Sequence, residues 1–395
     1  MKKYLLTFAV LMAGMMTFTS CSDDEEEKLI DKEQDEKGDN ELDPGTFYTN
    51  YGIYVVNSGN MKSQISSSLT YLDVTEWKLY EDVFKAANQR ELGTTANDGV
   101  VYGSKLYVMV SGENTVEVMD NISLQSIKQI RLADEIGENK GLKPRHAAAA
   151  NGYVYVTTYG GYVAAIDTTT LKISHTYAVT PDANNIGAMY PEGIAVANGK
   201  IYVANSSFGD GKHPSIGVID IASGNVSLIT DEKITNPNFI AVVGSDIYVL
   251  DYGTYDANWN QTGAGVRKIS GNTVSHVLDA TAMSVANNKI YIIYAPYTYP
   301  TTTPSYKVYD IASGETSTLE LNEEPFSASA ICADPNNGYV YITSYDKDPD
   351  TGYAGYALPG YVNTYDTNGT LINHSTTGVG PTSIVLTSRR YYVKE

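Results

Sequence analysis

The chain has 395 residues, 46 acids against 27 basic residues, and a net charge of −19. That balance excludes a nucleic-acid binder, which needs Lys and Arg against phosphates, and adsorption to anionic lipid surfaces. Tyrosine supplies 33 side chains against 7 phenylalanines, and its flat apolar ring with a hydrogen-bonding tip suits surfaces that bind while staying wet. The two cysteines, Cys21 and Cys332, offer no disulfide framework and no thiolate metal site. Cys332 falls in the apolar run Ala330-Ile331-Cys332-Ala333 and reads as a buried strand residue.

Residues 1–20 read as a signal peptide. Lys2 and Lys3 precede a largely apolar stretch from Tyr4 to Phe18, short of the ~20 residues a membrane-spanning helix needs. Thr19-Ser20-Cys21 then reads as a cleavage site that leaves Cys21 first. It resembles the lipobox of bacterial lipoproteins, with Phe18 where leucine is preferred, and so implies lipidation at Cys21. Residues 21–46 read as a lipidated acidic tether, because twelve acids and three lysines between 22 and 46 cannot bury a core. Cys21-Ser22-Asp23-Asp24-Glu25-Glu26 also resembles the acidic export signal of Bacteroidota lipoproteins. The expected location is therefore the outer membrane, lipid-anchored and exposed at the cell surface.

From residue 47 to 395 one pattern recurs: a branched or aromatic residue, Tyr, then Val or Ile. It stands at Ile53-Tyr54-Val55, Leu106-Tyr107-Val108, Val154-Tyr155-Val156, Ile201-Tyr202-Val203, Ile247-Tyr248-Val249, Ile290-Tyr291-Ile292, Val340-Tyr341-Ile342 and Tyr391-Tyr392-Val393. Tyrosine spacings of 43 to 53 residues, in stretches rich in β-branched and aromatic residues, predict propeller blades. The period 191–230 divides into four strands, with a tight turn at Asn198-Gly199 and a third strand ending in Asp220. The same terminal aspartate recurs at Asp73, Asp120, Asp167, Asp310 and Asp366 and is expected to cap the next turn.

The predicted fold is all-β, a seven-bladed β-propeller with four-stranded blades. Six blades are complete, near 97–131, 145–177, 192–230, 237–278, 281–320 and 327–375. The seventh joins an N-terminal piece to a C-terminal strand around Ser383–Leu386, so both chain ends close the ring and leave no open edge. Ile53-Tyr54-Val55 and Tyr391-Tyr392-Val393 compete for its second-strand slot.

In such blades the loops after strands one and three leave by one face, and here they are minimal turns such as Asn151-Gly152 and Ser223-Gly224. The other face carries the long stretches 57–68, 206–215, 251–265, 294–305 and 344–360. Ligand binding is assigned there, with Tyr159, Phe208, Tyr252, Trp259, Tyr297 and Tyr345 as candidate contacts among a dozen loop aromatics. The residue that follows the opening of each inner strand should sit by the central channel. Blade alignment gives Asn97, Arg145, Glu192, Asn238, Thr281 and Thr382. His175, His276 and His374 repeat on outer strands as a structural register, which leaves only His146 and His213 able to reach the binding face. There is no nucleophile elbow, paired-histidine metal motif or phosphate loop, and Asp346-Lys347-Asp348-Pro349-Asp350 matches a calcium loop poorly. The expectation is a non-enzyme with no cofactor and no metal.

The repeat best seen at 191–205, Pro-Glu-Gly-Ile-Ala-Val-Ala-Asn-Gly-Lys-Ile-Tyr-Val-Ala-Asn, resembles the YncE-like seven-bladed propellers. The acidic leader and Tyr51-Gly52-Ile53-Tyr54-Val55-Val56-Asn57-Ser58-Gly59-Asn60 are similar to their BtuG-like surface-lipoprotein branch in gut Bacteroidota. The resemblance implies capture of cobalamin or a related corrinoid for delivery to a TonB-dependent outer-membrane transporter. Two alternatives stand beside it. One is a glycan-binding surface lipoprotein, since tyrosine platforms stack on sugars. The other is a metal-dependent propeller lyase, for which His146 with Glu192 is the nearby pair.

Overall fold

The computed structural model describes residues 47–392 except Asp210 and Asn272. The signal peptide, the lipidation site Cys21, the acidic tether and Val393 lie outside the described residues. Seven four-stranded antiparallel sheets stand around a channel, joined in one ring. Blade I is built from Pro381–Tyr392, Phe47–Asn57, Ser68–Asp73 and Lys78–Tyr80, from the channel outwards. The inner strands of blades II to VII are Ala96–Tyr102, Pro144–Ala150, Pro191–Ala197, Pro237–Val243, Ala282–Ala286 and Ser327–Ala333. No helix among the described residues is long and apolar enough to cross a membrane.

Both ends of the chain close the ring, and the contest for the second-strand slot is decided. Ile53-Tyr54-Val55 occupies it. Tyr391 and Tyr392 instead lengthen the inner strand, which pairs with the N-terminal strand from Asn57↔Pro381 to Phe47↔Tyr392. The C-terminal strand is therefore longer than Ser383–Leu386. Its last residues look like a second-strand motif only because any strand favours the same residue types.

The recurring Ile-Tyr-Val triplet works through the two-residue period of a strand. Tyr54 faces blade II, in a core with Leu106, Val108 and Phe84, while Ile53 and Val55 face blade VII, in a core with Tyr341 and Val362. Tyr107 likewise joins Val154 and Val156 of blade III, and Tyr248 joins Ile290 and Ile292 of blade VI. Each second strand thus packs one side chain forward and two backward. The cores lie between blades, so no blade buries its hydrophobic faces alone.

The aspartates that end the third strands cap the following turns, as the sequence predicts. Asp220 Oδ1 accepts the Ser223 amide at 2.9 Å, Asp167 Oδ1 the Thr170 amide at 2.6 Å, and Asp310 Oδ1 the Ser313 amide at 2.9 Å. These bonds, to side chain and backbone alike, hold the three carboxyls below their ordinary range. Asn151, Asn198, Asn287 and Asn288 take positive φ in the tight turns after the first strands, on the same face. Cys332 lies on the inner strand of blade VII, half-buried against the channel and not fully in a core.

Candidate ligand-binding site

The inner strands begin with a shared irregularity. The ladder with the second strand slips between Ala96 and Asp98, Pro144 and Ala147, Pro191 and Ile194, Pro237 and Phe239, Ala328 and Ala330, and opposite Pro381. A bulge of this kind leaves a residue unpaired and re-aims its side chain. The unpaired positions include Asn97, Arg145, Glu192, Asn238 and Thr382. The chain also enters four of these strands through positive φ, at Thr95, Lys143, Tyr190 and Gly380. For the three non-glycine residues this is strained backbone of the kind found at functional surfaces.

The bulges bring three of the expected residues into one network. Arg145 Nε donates to Glu192 Oε2 at 2.8 Å and Arg145 Nη1 to Asn97 Oδ1 at 2.9 Å. The Tyr159 hydroxyl donates to the other oxygen of Glu192, and the guanidinium lies over the Tyr159 ring at 4.7 Å. Asn97 Nδ2 donates to Ser111 Oγ and to the Pro144 carbonyl. Burial alone would lower the Arg145 pKa, but the neighbouring Glu192 carboxylate outweighs it and the group stays charged. Burial, reinforced by Glu192, pushes the Tyr159 phenol well above its ordinary value. Burial pushes Tyr252, which also feels Glu192, up to about 12, so both phenols remain hydrogen-bond donors at neutral pH.

Around this network stand Tyr190 and Phe208, edge-on or tilted against Tyr159 and each other at ring separations of 5.2 to 6.4 Å. From Tyr252 the site continues outwards. Gln261 Nε2 donates to the Tyr252 carbonyl at 2.9 Å, and the Gln261 amide donates to the Tyr297 carbonyl at 2.7 Å. The Tyr297 amide returns a bond to Gln261 Oε1 at 3.1 Å, and the Tyr299 amide donates to Asn260 Oδ1 at 2.8 Å. Asp256 accepts the amides of Asn258 and Asn260. A small hairpin, Thr254–Tyr255 with Gln261–Thr262, thereby presents Trp259 at 73% exposure beside Tyr297 at 68%.

Six of the twelve residues expected at this face therefore gather around the channel mouth: Asn97, Arg145, Glu192, Tyr159, Phe208 and Tyr252. Trp259 and Tyr297 are tied to that group through Gln261. Asn238 lines the channel. Tyr345 stands apart on blade VII, edge-on to Tyr356 at 4.8 Å. Thr281 does not join the ring of re-aimed residues, because its hydroxyl closes its own strand, accepting from the Ala295 amide at 3.0 Å and donating to the Ile293 carbonyl at 3.1 Å. Asp348 caps a local turn by accepting the amides of Asp350 and Thr351.

Three further mouth residues went unnoticed in the sequence: Tyr190, Asp98 and Ser383. Asp98 Oδ2 faces His146 Nδ1 at 3.2 Å and Asp98 Oδ1 accepts Ser383 Oγ at 2.9 Å, while His146 Nε2 lies 3.9 Å from Glu192. The available signal was a polar pair where an apolar strand should begin: Asn97-Asp98, Arg145-His146 and Thr382-Ser383.

The architecture is that of a seven-bladed β-propeller with a polar, tyrosine-rimmed mouth on its loop-rich face. The chain belongs to the DUF5074 family, a domain of unknown function, which matches residues 51–316. No curated protein matches it. Among solved structures it is similar to a candidate 6-phosphogluconolactonase from Bacteroides uniformis, with TM-score 0.54 and 10% identity over 86% of this chain and 99% of that one. It is also similar to the hydrazine synthase of Kuenenia stuttgartiensis, with TM-score 0.53 and 16% identity over 74% and 93% of the two chains. The WD40 repeats of RRP9 give TM-score 0.50 and 11% identity over 72% and 81%. At these identities the likeness concerns the fold.

Proposed function

We propose that this protein is a surface lipoprotein that captures a large neutral ligand, cobalamin or a related corrinoid, on the loop-rich face and passes it to an outer-membrane transporter. One observation carries this reading: the mouth and the aromatic hairpin form a preformed surface tied together by backbone and side-chain bonds through Tyr252, Gln261 and Tyr297. A rigid face avoids much of the ordering cost of binding. Arg145 and Glu192 neutralise each other, so the surface suits a flat-sided ligand rimmed with amides better than an ion. The protein acts by binding and not by catalysis.

Calorimetry of the purified protein tests this. Cobalamin is expected to bind without added metal. Replacing Tyr252, Trp259 and Tyr297 together by Ala should weaken binding by at least ~2 kcal/mol, as loss of a hot spot does, while the melting transition remains cooperative. No heat at micromolar cobalamin, with heat on adding oligosaccharides, would replace this reading with glycan capture.

Location is tested separately. Cys21→Ser should move the protein from the membrane fraction to the soluble one. Changing Asp23, Asp24, Glu25, Glu26 and Glu27 to Ala should keep it membrane-bound but hide it from protease added to intact cells. An unmodified protein already resistant to that protease contradicts surface display.

A further inference from the structure

Below the mouth, the channel holds a cavity of about 320 Å³ that is open to solvent. Its wall changes character with depth. Polar side chains cluster near the rim and are already engaged: Asp98 holds His146 and Ser383, and Ser329 Oγ pairs with Thr343 Oγ1 at 2.9 Å. Away from those groups the wall is apolar, with Ala149, Ala195, Ala241 and Ala330 set among larger residues such as Ile194, Leu250, Met283 and Ile384. Ser284, a polar side chain among them, accepts the Ala333 amide at 3.0 Å. Phe239 is the one phenylalanine of the lining. Its ring lines the cavity and stays 37% exposed. Asn238 beside it makes no side-chain hydrogen bond to the described residues and also faces the cavity.

The alanines leave free space between the larger wall residues, and an exposed ring facing that space is an unsatisfied apolar surface. An engineered apolar cavity of ~150 Å³ holds one benzene ring, so this one has room for a bicyclic ring system. We propose that the channel is a second binding site, for a neutral aromatic ring system of one or two rings. The ring stacks on Phe239, and the Asn238 amide meets a ring nitrogen or N–H at the rim. The site shares Asn238 and Tyr252 with the capture surface but rests on Phe239 and the alanines of the wall, so indole binding and cobalamin binding are read separately.

Indole is the probe, titrated into the full chain labelled with ¹³C at alanine methyls. The expected result is a saturable shift of the Ala149, Ala195, Ala241 and Ala330 methyls. Phe239→Ala should raise the dissociation constant at least fivefold, and Tyr353→Ala, on an exposed loop, should leave it unchanged. Ala241→Leu with Ala330→Leu should abolish the shift by filling the space. If that double variant fails to fold, the unmodified protein and Phe239→Ala decide. No methyl shift at millimolar indole, shifts confined to the loops, or a Phe239→Ala protein that binds as before would overturn the proposal.

Discussion

Removal of residues 381–395 is expected to abolish cooperative folding. The deleted segment is the inner strand of blade I, and its whole ladder with Phe47–Asn57 goes with it. Val385 leaves the core shared with blade II, and Ile384 and Leu386 leave the core shared with blade VII. Thr387 no longer meets Asn121, and Arg389, packed 3.8 Å over the Tyr71 ring, no longer donates to the Tyr54 hydroxyl, which keeps its bond to the Asn121 carbonyl. Buried Val385 with part-buried Ile384 and Leu386 represents roughly 3–6 kcal/mol, a large share of the whole stability of a typical domain, about 5–15 kcal/mol. The exposed strand edge then becomes a template for aggregation. Urea denaturation followed by tyrosine fluorescence and circular dichroism measures this. A truncated protein with the midpoint and slope of the full chain would show that the ring does not depend on this strand.

Glu192→Leu is expected to be the most damaging single substitution at the mouth. Glu192 is 5% exposed and holds Arg145, Tyr159 and the register between them. Its loss leaves a largely buried guanidinium without a carboxylate, which typically costs about 3–5 kcal/mol. The double variant Arg145→Leu/Glu192→Leu removes both charges and should recover much of that loss, because a paired charge is replaced by an apolar contact. Both should lose cobalamin, the single variant through distortion and the double through missing hydrogen bonds. A Glu192→Leu protein within 1 kcal/mol of the parent in denaturant would mean that solvent reaches Arg145 freely and that the network does not organise the mouth.

The sequence by itself determined the blades. A period-two strand motif that must feed two neighbouring cores has to recur once per blade, so Tyr54, Tyr107, Tyr155, Tyr202, Tyr248, Tyr291 and Tyr341 mark the seven second strands and their contacts. Turn chemistry is equally local: a side chain that accepts the amide two or three residues ahead needs nothing beyond its own segment, and so the third-strand aspartates were legible. The ring of mouth residues was half legible. Alignment of the strand openings found Asn97, Arg145 and Glu192, but Thr281 shares that alignment and spends its hydroxyl on its own strand.

Tertiary structure alone decided the rest. Whether residues 53–55 or 391–393 fill the closing blade depends on a pairing between the two ends of the described chain, and strand propensity carries no information about partners. The Asp98 contact with His146 and Ser383 joins three blades. The loop of Tyr297 is tied to the hairpin that carries Trp259 by a bond to Gln261, whereas Tyr345, in the same loop layer, turns instead to Tyr356. In a propeller each blade is specified by its neighbours in sequence, but the mouth is assembled from one or two residues of each blade. Their convergence is a property of the closed ring, and no local pattern encodes it.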